Sequence, residues 1–581
     1  MGDRYCLLAK ASNATRAMIK QRAASAPAWP VVYDAPNLIV IAEPEASIVP
    51  LGEAGIIIGA LHTGGRRDRI IALKRDVVDT IAASRGDHLI RAYWGNYVAI
   101  LRGADGATYI VRSPLGSLPA LYAATGMGVM IASDVRLLER FGDMRPQVDW
   151  ARLARFAAAP DLRLPETCLA GVDELPGGNR LTLRTLEDET NALWSPWTFA
   201  PPDRAAYDPV EARMRLHDTI IAVMVSVADR TEKAAILLSG GLDSSIVAAS
   251  AAANAIDATC VTISTSAASG DERSYACAAA DGVGLPLVER SFDLAGVDLT
   301  ISDAADCPRP VAQAFEVEGR RQSKAVAESI GATAILSGGG GDNVFCSLQS
   351  VAAAADCLND PHGRTAFWRT ARNLSQLTGA SLWTITQRAW MRSRQRDRQY
   401  PRPFEPQFLS KTAIDLASDA PVHPWLVRHR PVLQGKGAHV AALLGVQCLT
   451  EGTDPLDPLA LRYPLLAQPV VEMCLRIPTW LWYDHGNNRA VARHAFSDQL
   501  PPEIAWRRSK GTPDSFVIDI YDGRRDQIRA MLLDGAMAAH GLLDQDVLRR
   551  VLDDRAPVRG ADHNRVMRLV DMEAWARCWP T

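Results

Sequence analysis

The apolar residues of the chain change their spacing once, near residue 200. Up to about residue 185 they occur in short continuous or alternating runs, such as 56–58, 97–101 and 109–111, separated by glycine and proline turns. This pattern is typical of short β-strands. At about 186–210 the chain becomes polar and proline-bearing, which predicts an interdomain linker.

After this segment the spacing indicates helices that alternate with strands. Residues 214–229 have the apolar period of a helix, 234–238 form an apolar run typical of a strand, and 244–253 form an alanine-rich helix. Two further strands are predicted at 259–263 and 333–336. Their separation matches βαβ crossovers and predicts an α/β nucleotide-binding architecture from about 211 to 350, followed by mainly helical structure.

The composition excludes several classes of protein. With 581 residues the chain is too long for one hydrophobic core, and its 48% hydrophobic and 22% charged residues are typical of globular proteins. The formal net charge of -3 predicts no nucleic-acid partner. No long apolar run and no signal-peptide pattern occurs, so we expect no membrane partner and a cytoplasmic location. The ten cysteines lack C-x-x-C spacing, which favours reduced thiols in the core.

A glycine-rich string follows the predicted strand that ends at Leu238. Residues 239–245 read S-G-G-L-D-S-S, and the N–H groups and hydroxyls of such a turn and helix start bind oxyanions. The predicted phosphate loop consists of Ser239, Gly240, Gly241, Ser244 and Ser245. A Walker lysine is absent, and the carboxylate of Asp243 stands in its place, which predicts Mg²⁺ between this carboxylate and the phosphates.

A second glycine run follows the predicted strand 333–336. Residues 337–345 read S-G-G-G-G-D-N-V-F, so the backbone can approach a ligand closely, and Asp342 offers a carboxylate. The two strings together predict that Asp243 and Asp342 clamp Mg²⁺ on the pyrophosphate of ATP.

The first string resembles the pyrophosphate loop of the N-type ATP pyrophosphatases, which cleave ATP between its α and β phosphates. The pair of strings, about a hundred residues apart, resembles the asparagine synthetase superfamily. Three more segments are similar to that family, at 462–476, 488–501 and 506–511. The resemblance covers roughly 211–516. It implies that Lys510 stabilises negative charge during catalysis, and that the adenosine is bordered by Leu238, Ile263, Ser337 and Gly338.

The N-terminal part resembles the glutaminase domain of the same family in strings at 94–99, 110–122 and 131–134. The resemblance implies a two-domain chain of mixed α/β and α+β class. Residues 1–200 would form an Ntn-hydrolase-like (glutaminase-like) β-sandwich. Residues 211–581 would form an adenine nucleotide α-hydrolase-like (ATP pyrophosphatase) domain with a parallel sheet and added helices.

The chain departs from the family at the residues that hydrolyse glutamine. The family's glutaminase uses an N-terminal cysteine, exposed after methionine removal, as its nucleophile. Here Gly2 follows Met1, Cys6 is internal, and residues 58–63 replace the family's N-G-E-x-Y-N string. We therefore expect a degenerate domain without glutaminase activity. An acyl-adenylate must then react with another amine, most economically one on the substrate itself.

Two branches of the family use an amine on the substrate itself. They are the β-lactam synthetases and the macrolactam synthetases of lasso peptides. The string at 337–346 resembles the lasso branch, whereas β-lactam synthetases have a tyrosine where Gly339 stands. The resemblance implies that ATP and Mg²⁺ serve to adenylate an Asp or Glu side chain of a linear precursor core peptide. The peptide's N-terminal amine then closes an isopeptide-bonded ring, with release of AMP and pyrophosphate. It also implies a leader-binding protein and a leader peptidase as partners.

Three other interpretations stay open. One alternative function is a glutamine-independent small-molecule amide or β-lactam synthetase, against which the glycines at 338–341 argue. Another is a noncatalytic scaffold, which would be expected to lose the carboxylates of Asp243 and Asp342. The aromatic segment 480–483 could line a peptide cleft, although core packing is the favoured interpretation.

Overall fold

The computed structural model describes most of the chain. The described ranges are 3–25, 27–64, 69–184, 187–200, 208–228, 231–265, 271–395, 399–401, 403–427, 433–450, 457, 459–508, 514–554 and 562–580. No helix within these ranges is both long enough and apolar enough to cross a membrane. All ten cysteines are free; seven are buried, whereas Cys578 is exposed.

Two antiparallel six-stranded sheets form the N-terminal part. Their strands are β1 (Tyr5–Ala9), β2 (Val31–Ala35), β3 (Leu38–Ala42), β4 (Ile48–Pro50), β5 (Gly55–Thr63), β6 (Tyr93–Arg102), β7 (Thr108–Arg112), β8 (Leu121–Thr125), β9 (Gly128–Ala132), β10 (Asp173–Glu174), β11 (Asn179–Leu183) and β12 (Glu189–Ala192). The order is β10-β8-β9-β1-β3-β2 in one sheet and β12-β11-β7-β6-β5-β4 in the other.

The two sheets pack face to face, and helices cover their outer faces. Leu7 and Val40 of one sheet share a buried cluster with Ile58 and Val98 of the other. The outer faces pack against five helices, α1 (Asn13–Ala24), α2 (Arg75–Ala83), α3 (Asp87–Ala92), α4 (Val135–Gly142) and α5 (Trp150–Ala158). Because both faces of the central strands are buried, their sequences are continuous apolar runs rather than alternating ones.

A parallel five-stranded sheet forms the centre of the second part. Its strands are β13 (Ala234–Leu237), β14 (Ala258–Ser264), β15 (Leu287–Ser291), β16 (Ala334–Ser337) and β17 (Ala460–Arg462), in the order β15-β14-β13-β16-β17. The three predicted strands are therefore confirmed to within one residue at each end, and β15 and β17 are additional edge strands. The mixed architecture, with antiparallel sheets first and a parallel sheet after them, is as predicted.

Helices surround the parallel sheet and continue to the C-terminus, as predicted. They are α6 (Pro209–Val227), α7 (Leu242–Ala253), α8 (Arg273–Val283), α9 (Ala314–Ser329), α10 (Gly341–Val344), α11 (Ala352–Asn359), α12 (Phe367–Thr378), α13 (Leu382–Ser393), α14 (Lys411–Ser418), α15 (Gln434–Ala442), α16 (Leu444–Leu449), α17 (Gln468–Arg476), α18 (Ala490–Phe496), α19 (Pro502–Ala505), α20 (Asp514–Gly523), α21 (Arg525–Leu533), α22 (Ala536–Ala539), α23 (Gln545–Asp553) and α24 (Asp562–Ala576).

The prediction of a linker at 186–210 is wrong for residues 189–192. Strand β12 lies inside it and pairs with β11, so that this segment completes the edge of an N-terminal sheet. Trp194, two residues later, is buried and donates a hydrogen bond to Glu472 Oε1 at 2.8 Å. Residues 187–200 therefore join the two parts by packing, whereas residues 186 and 201–207 of the predicted linker lie outside the described residues. The polar residues of β12 reflect an exposed edge strand, whose outer face needs no apolar side chains.

A buried ion-pair cluster also joins the two parts. Glu174 lies 2.5 Å from Arg112 Nη1 and also pairs with Arg309, which belongs to the loop before α9. Burial alone would raise the pKa of the Glu174 carboxyl, but Arg309, Arg112 and Arg163 hold that pKa well below its usual range. The carboxylate therefore neutralises arginine charge that is itself removed from water.

We expect Glu174→Gln to lower the free energy of unfolding by about 3–5 kcal/mol, because it leaves buried guanidinium groups without their counter-charge. Asp143→Asn is the control, since it breaks the solvent-exposed Arg22–Asp143 pair and should cost less than about 1 kcal/mol. Thermal unfolding followed by circular dichroism measures both changes. Equal stability of the two variants would contradict this role of Glu174.

Candidate active site

The candidate site lies where two neighbouring parallel strands end. In the register of β13 and β16, Leu237 stands beside Ser337, so the glycine strings that follow leave the sheet side by side. Ligands of open α/β sheets bind at this carboxyl edge. The two strings, far apart in sequence, therefore form one site.

The first string forms a tight turn into α7. Gly241 caps the helix, and the Ser239 N–H donates to Ser244 Oγ at 3.3 Å. The side chain of Ser245 is fully buried, and its hydroxyl has no hydrogen-bond partner among the described residues. The backbone of Gly240 is left-handed, with φ +67°, and a Cβ atom there would lie 2.4 Å from a backbone carbon of Tyr275. Only glycine fits this position.

The second string packs directly against the first. A Cβ atom on Gly338 would lie 2.5 Å from the backbone nitrogen of Ser244, and one on Gly341 would lie 2.5 Å from Asp243 Cγ. Real Cβ atoms do not approach so closely. Two of the four consecutive glycines are therefore required because the two loops touch each other.

This contact places the two predicted carboxylates around one cation. Arg489 Nη1 lies 3.1 Å from Asp243 Oδ1 and 2.6 Å from Asp342 Oδ1. Arg489 itself has a left-handed backbone, with φ +55°, directly before α18. Both carboxylates therefore lie beside one guanidinium group, and the prediction that they clamp Mg²⁺ on the pyrophosphate stays a prediction. The bridging role of Arg489 was missed, and the only signal was its position in a segment similar to the family.

The arrangement is compatible with Mg²⁺. The donors are carboxylate oxygens, the ligand type that Mg²⁺ prefers, and the Arg489 guanidinium already occupies the position of a cation between them. No group of three His, Cys, Asp or Glu side chains that could hold a metal occurs in the described ranges. Two carboxylates suffice only when phosphates supply further ligands, which is the usual mode for Mg²⁺ with nucleotides.

Two further arginines hold the loops in place. Arg507 donates to the carbonyl of Gly240 at 3.3 Å, pairs with Glu272 at 2.6 Å and stacks 3.6 Å from the centre of the Tyr275 ring. Arg493 is buried and donates to three backbone carbonyls, those of Asn488, Ala505 and Arg507. The segment after residue 488 is therefore tied to the first loop by guanidinium groups.

The structure describes four of the five remaining predicted site residues. Leu238 is buried, and its N–H donates to the carbonyl of Val261 at 2.9 Å, whereas Ile263, Ser337 and Gly338 are half-buried at the same sheet edge. Their contacts with adenosine stay a prediction. Lys510 lies outside the described residues, so its predicted role stays a prediction as well. Residues 480–483, three of which are aromatic, are buried, which confirms core packing.

Cys6 is in the wrong environment for a nucleophile. It lies within β1, between β3 and β9, and its Sγ is 3.1 Å from Met130 Sδ. Burial, with a smaller contribution from Asp134, raises the pKa of the Cys6 thiol well above its usual range. Since the thiolate is the reactive form, this thiol is inert at neutral pH.

A cavity of about 820 Å³ is lined by residues of both parts of the chain. Two of its lining residues, Tyr463 and Leu466, also contact the second loop. A Cβ atom on Gly339 would lie 2.9 Å from Tyr463 Cε1, and one on Gly340 would lie 2.4 Å from Leu466 Cδ2. Burial raises the pKa of Tyr463 to about 12, so its ring stays neutral. We call these two side chains the cavity wall.

The parallel sheet, the paired glycine loops and the facing carboxylates define an α/β enzyme class that handles nucleotides. A comparison with family models matches residues 222–577, more than half of the chain, to the family described as asparagine synthase. The chain therefore belongs to the asparagine synthase family, whose members are in general ATP-dependent ligases that form C–N bonds. A comparison with curated proteins gave no match.

We expect Gly338→Ala to reduce ATP turnover by about 10²-fold. The added methyl group would lie 2.5 Å from the backbone nitrogen of Ser244, so the two loops would have to move apart. Gly126→Ala is the matched control, since a Cβ atom there meets nothing within 4 Å. Turnover is measured as ATP consumption, with circular dichroism to show that both variants are folded. Unchanged turnover in the Gly338 variant would mean that the loop contact is not needed.

Proposed function

We propose that this chain is a macrolactam synthetase of lasso peptide biosynthesis. It activates an Asp or Glu side chain of a linear precursor core peptide as the acyl-adenylate and joins it to the peptide's N-terminal amine. The observation that carries the proposal is Gly339, which has no side chain and packs against the neutral ring of Tyr463 in the cavity wall. A nucleophile that needs no base from position 339 fits this arrangement.

The chemistry follows in two steps. The substrate carboxylate attacks the α-phosphorus of ATP, and pyrophosphate leaves towards the N-terminus of α7, where N–H groups and hydroxyls stabilise its charge. Asp243 and Asp342 would hold Mg²⁺, which neutralises charge on the pyrophosphate. The N-terminal amine then attacks the acyl carbon, AMP leaves, and the amine proton passes to solvent. An isopeptide bond forms, and one water is lost overall from the peptide.

An α-amine suits a site without a general base. Its ordinary pKa is near 8, so an appreciable fraction is unprotonated at neutral pH. The asparagine synthetases and β-lactam synthetases have a side chain where Gly339 stands. A tyrosine at position 339 of this chain would collide with Tyr463. This argues against the alternative of a β-lactam synthetase with a tyrosine dyad at that position.

Ammonia is disfavoured as the nucleophile for two reasons. The N-terminal part is a degenerate glutaminase-like domain whose Cys6 is buried and protonated. The cavity beside this domain ends at Tyr463 and Leu466 rather than at the glycine loops. The intact bridge of Asp243, Arg489 and Asp342 argues in turn against a noncatalytic scaffold.

The proposed pathway assigns two protein partners and a location. A leader-binding protein and a leader peptidase would deliver the core peptide with a free N-terminal amine, since the ring cannot close while a leader blocks that amine. The enzyme would work in the cytoplasm, where ATP and Mg²⁺ are available.

With ATP, Mg²⁺ and the leader-free core peptide encoded beside this gene, we expect a product lighter by one water and stoichiometric AMP. Asp243→Asn and Lys510→Ala should each lower the rate by about 10²–10³-fold, because each removes stabilisation of developing charge. Lys411→Ala, an exposed lysine at the start of α14, is the control. Absence of AMP with every core peptide would refute the peptide function. An unchanged rate in one variant would remove that residue from its role.

We expect Tyr463→Ala to open the cavity wall, so that ammonia and water compete for the acyl-adenylate. In buffer with ammonium chloride, the wild type should yield mainly macrolactam, whereas the variant should yield several-fold more linear amide and linear peptide. Tyr463→Phe keeps the ring and should behave as wild type. Mass spectrometry measures the product ratio, and equal ratios in the two variants would show that the wall does not exclude these nucleophiles.

A further inference from the structure

Helix α13 turns large apolar side chains towards solvent. Trp383 is 75% exposed, Met391 57% and Trp390 50%. The buried residues of the same helix, Ile385 and Ala389, contact the core. A helix on the surface of a globular protein usually places its apolar residues inward. The outward face of α13 therefore requires a separate explanation.

Five exposed residues of α13 and its C-cap form one stripe. At 3.6 residues per turn, Trp383, Gln387, Trp390, Met391 and Arg394 lie within an arc of about 100°, opposite the buried side. The large side chains have the spacing i, i+7, i+8, which places them on one face of the helix. The guanidinium of Arg394 stacks on the Trp390 ring, 3.6 Å from its centre. This stacking holds both side chains in place.

The neighbouring helix also carries an exposed tryptophan. Helices α12 and α13 contact each other and are joined by only three residues, 379–381. Trp368, in the first turn of α12, is 65% exposed. We define the Trp–Arg face by residues of α13 and its C-cap alone, which are Trp383, Trp390, Met391 and Arg394.

The residues in and around α12 and α13 include positively charged side chains but no negatively charged ones. Residues 361–395 contain no Asp or Glu, although the whole chain has a net charge of -3. The same residues contain six arginines, Arg364, Arg369, Arg372, Arg388, Arg392 and Arg394. Trp, Met and Arg are enriched in protein interfaces, where acidic residues are depleted. The composition is therefore that of a binding surface for an acidic partner.

Two other occupants fit less well. In a symmetric dimer the face would meet its own copy, so arginines would oppose arginines, and like charges across an interface are costly. A helix that lies in a lipid surface carries apolar residues in the middle of its buried face and cations at the sides. Here Gln387 and Arg394 occupy the middle of the stripe, where they require hydrogen-bond acceptors.

We propose that the Trp–Arg face binds a segment of a partner protein that combines apolar with acidic residues. The apolar side chains of that segment contact Trp383, Trp390 and Met391, and its carboxylates pair with Arg394. This inference does not depend on the proposed reaction, because the face uses none of the residues of the glycine loops.

The test is panning of a displayed random peptide library on the full-length protein. Peptides that bind the Trp383→Ala/Trp390→Ala/Arg394→Ala variant are removed first. We expect the enriched peptides to combine acidic with apolar residues and to bind more weakly as salt is raised. Each single tryptophan variant should weaken a selected peptide by at least about tenfold. Failure to enrich any peptide, or enrichment of peptides without acidic residues, would overturn the proposal.

Two controls separate the alternatives. Val210→Ala/Met214→Ala removes exposed apolar side chains from α6, outside the face, and should leave peptide binding unchanged. Loss of binding in that variant would overturn the assignment to α13. Vesicles of phosphatidylcholine with phosphatidylglycerol test the lipid alternative by co-sedimentation. Wild-type binding to these vesicles that disappears in the triple variant would replace the protein partner with a membrane. Equal thermal unfolding of all variants shows that each is folded.

Discussion

The candidate site depends on the close contact between two glycine loops. Gly338 touches the backbone of Ser244 and Gly341 touches the Asp243 carboxylate, at separations that no side chain would allow. This contact is possible because β13 and β16 are adjacent and in register at their carboxyl ends. The distance between the carboxylates of Asp243 and Asp342 follows from it, and so does the position of the cation between them.

The rest of the chain stabilises this contact from outside. Arg507 and Arg493 fix the first loop to the segment that follows α18, and Arg489 joins the two carboxylates. The N-terminal part packs against the same region through Glu174, Arg309 and Trp194, although Cys6 has no environment for catalysis. The N-terminal part therefore contributes packing to this region, and Tyr463 and Leu466 line the cavity between the two parts.

Much of the fold was predictable because the central strands are buried on both sides. Continuous apolar runs located β13, β14 and β16 to within one residue. The edge strands were not found: β15 carries exposed charged residues and β17 is three residues long. The sequence of β12 predicts a linker because its side chains are polar, as an edge strand permits. The role of Arg489 depends on a left-handed backbone that no sequence pattern indicates.

The sequence by itself determined the two glycine strings, their carboxylates and the order of antiparallel and parallel sheets, since local turn chemistry and apolar spacing encode these features directly. The tertiary structure alone decided which of the glycines are needed for loop contact and which leave room for Tyr463 and Leu466. It also decided that Arg489 bridges the carboxylates, and that three tryptophans of α12 and α13 point outward. The physical reason is that these properties arise from contacts between residues distant in sequence, whose geometry is set by packing.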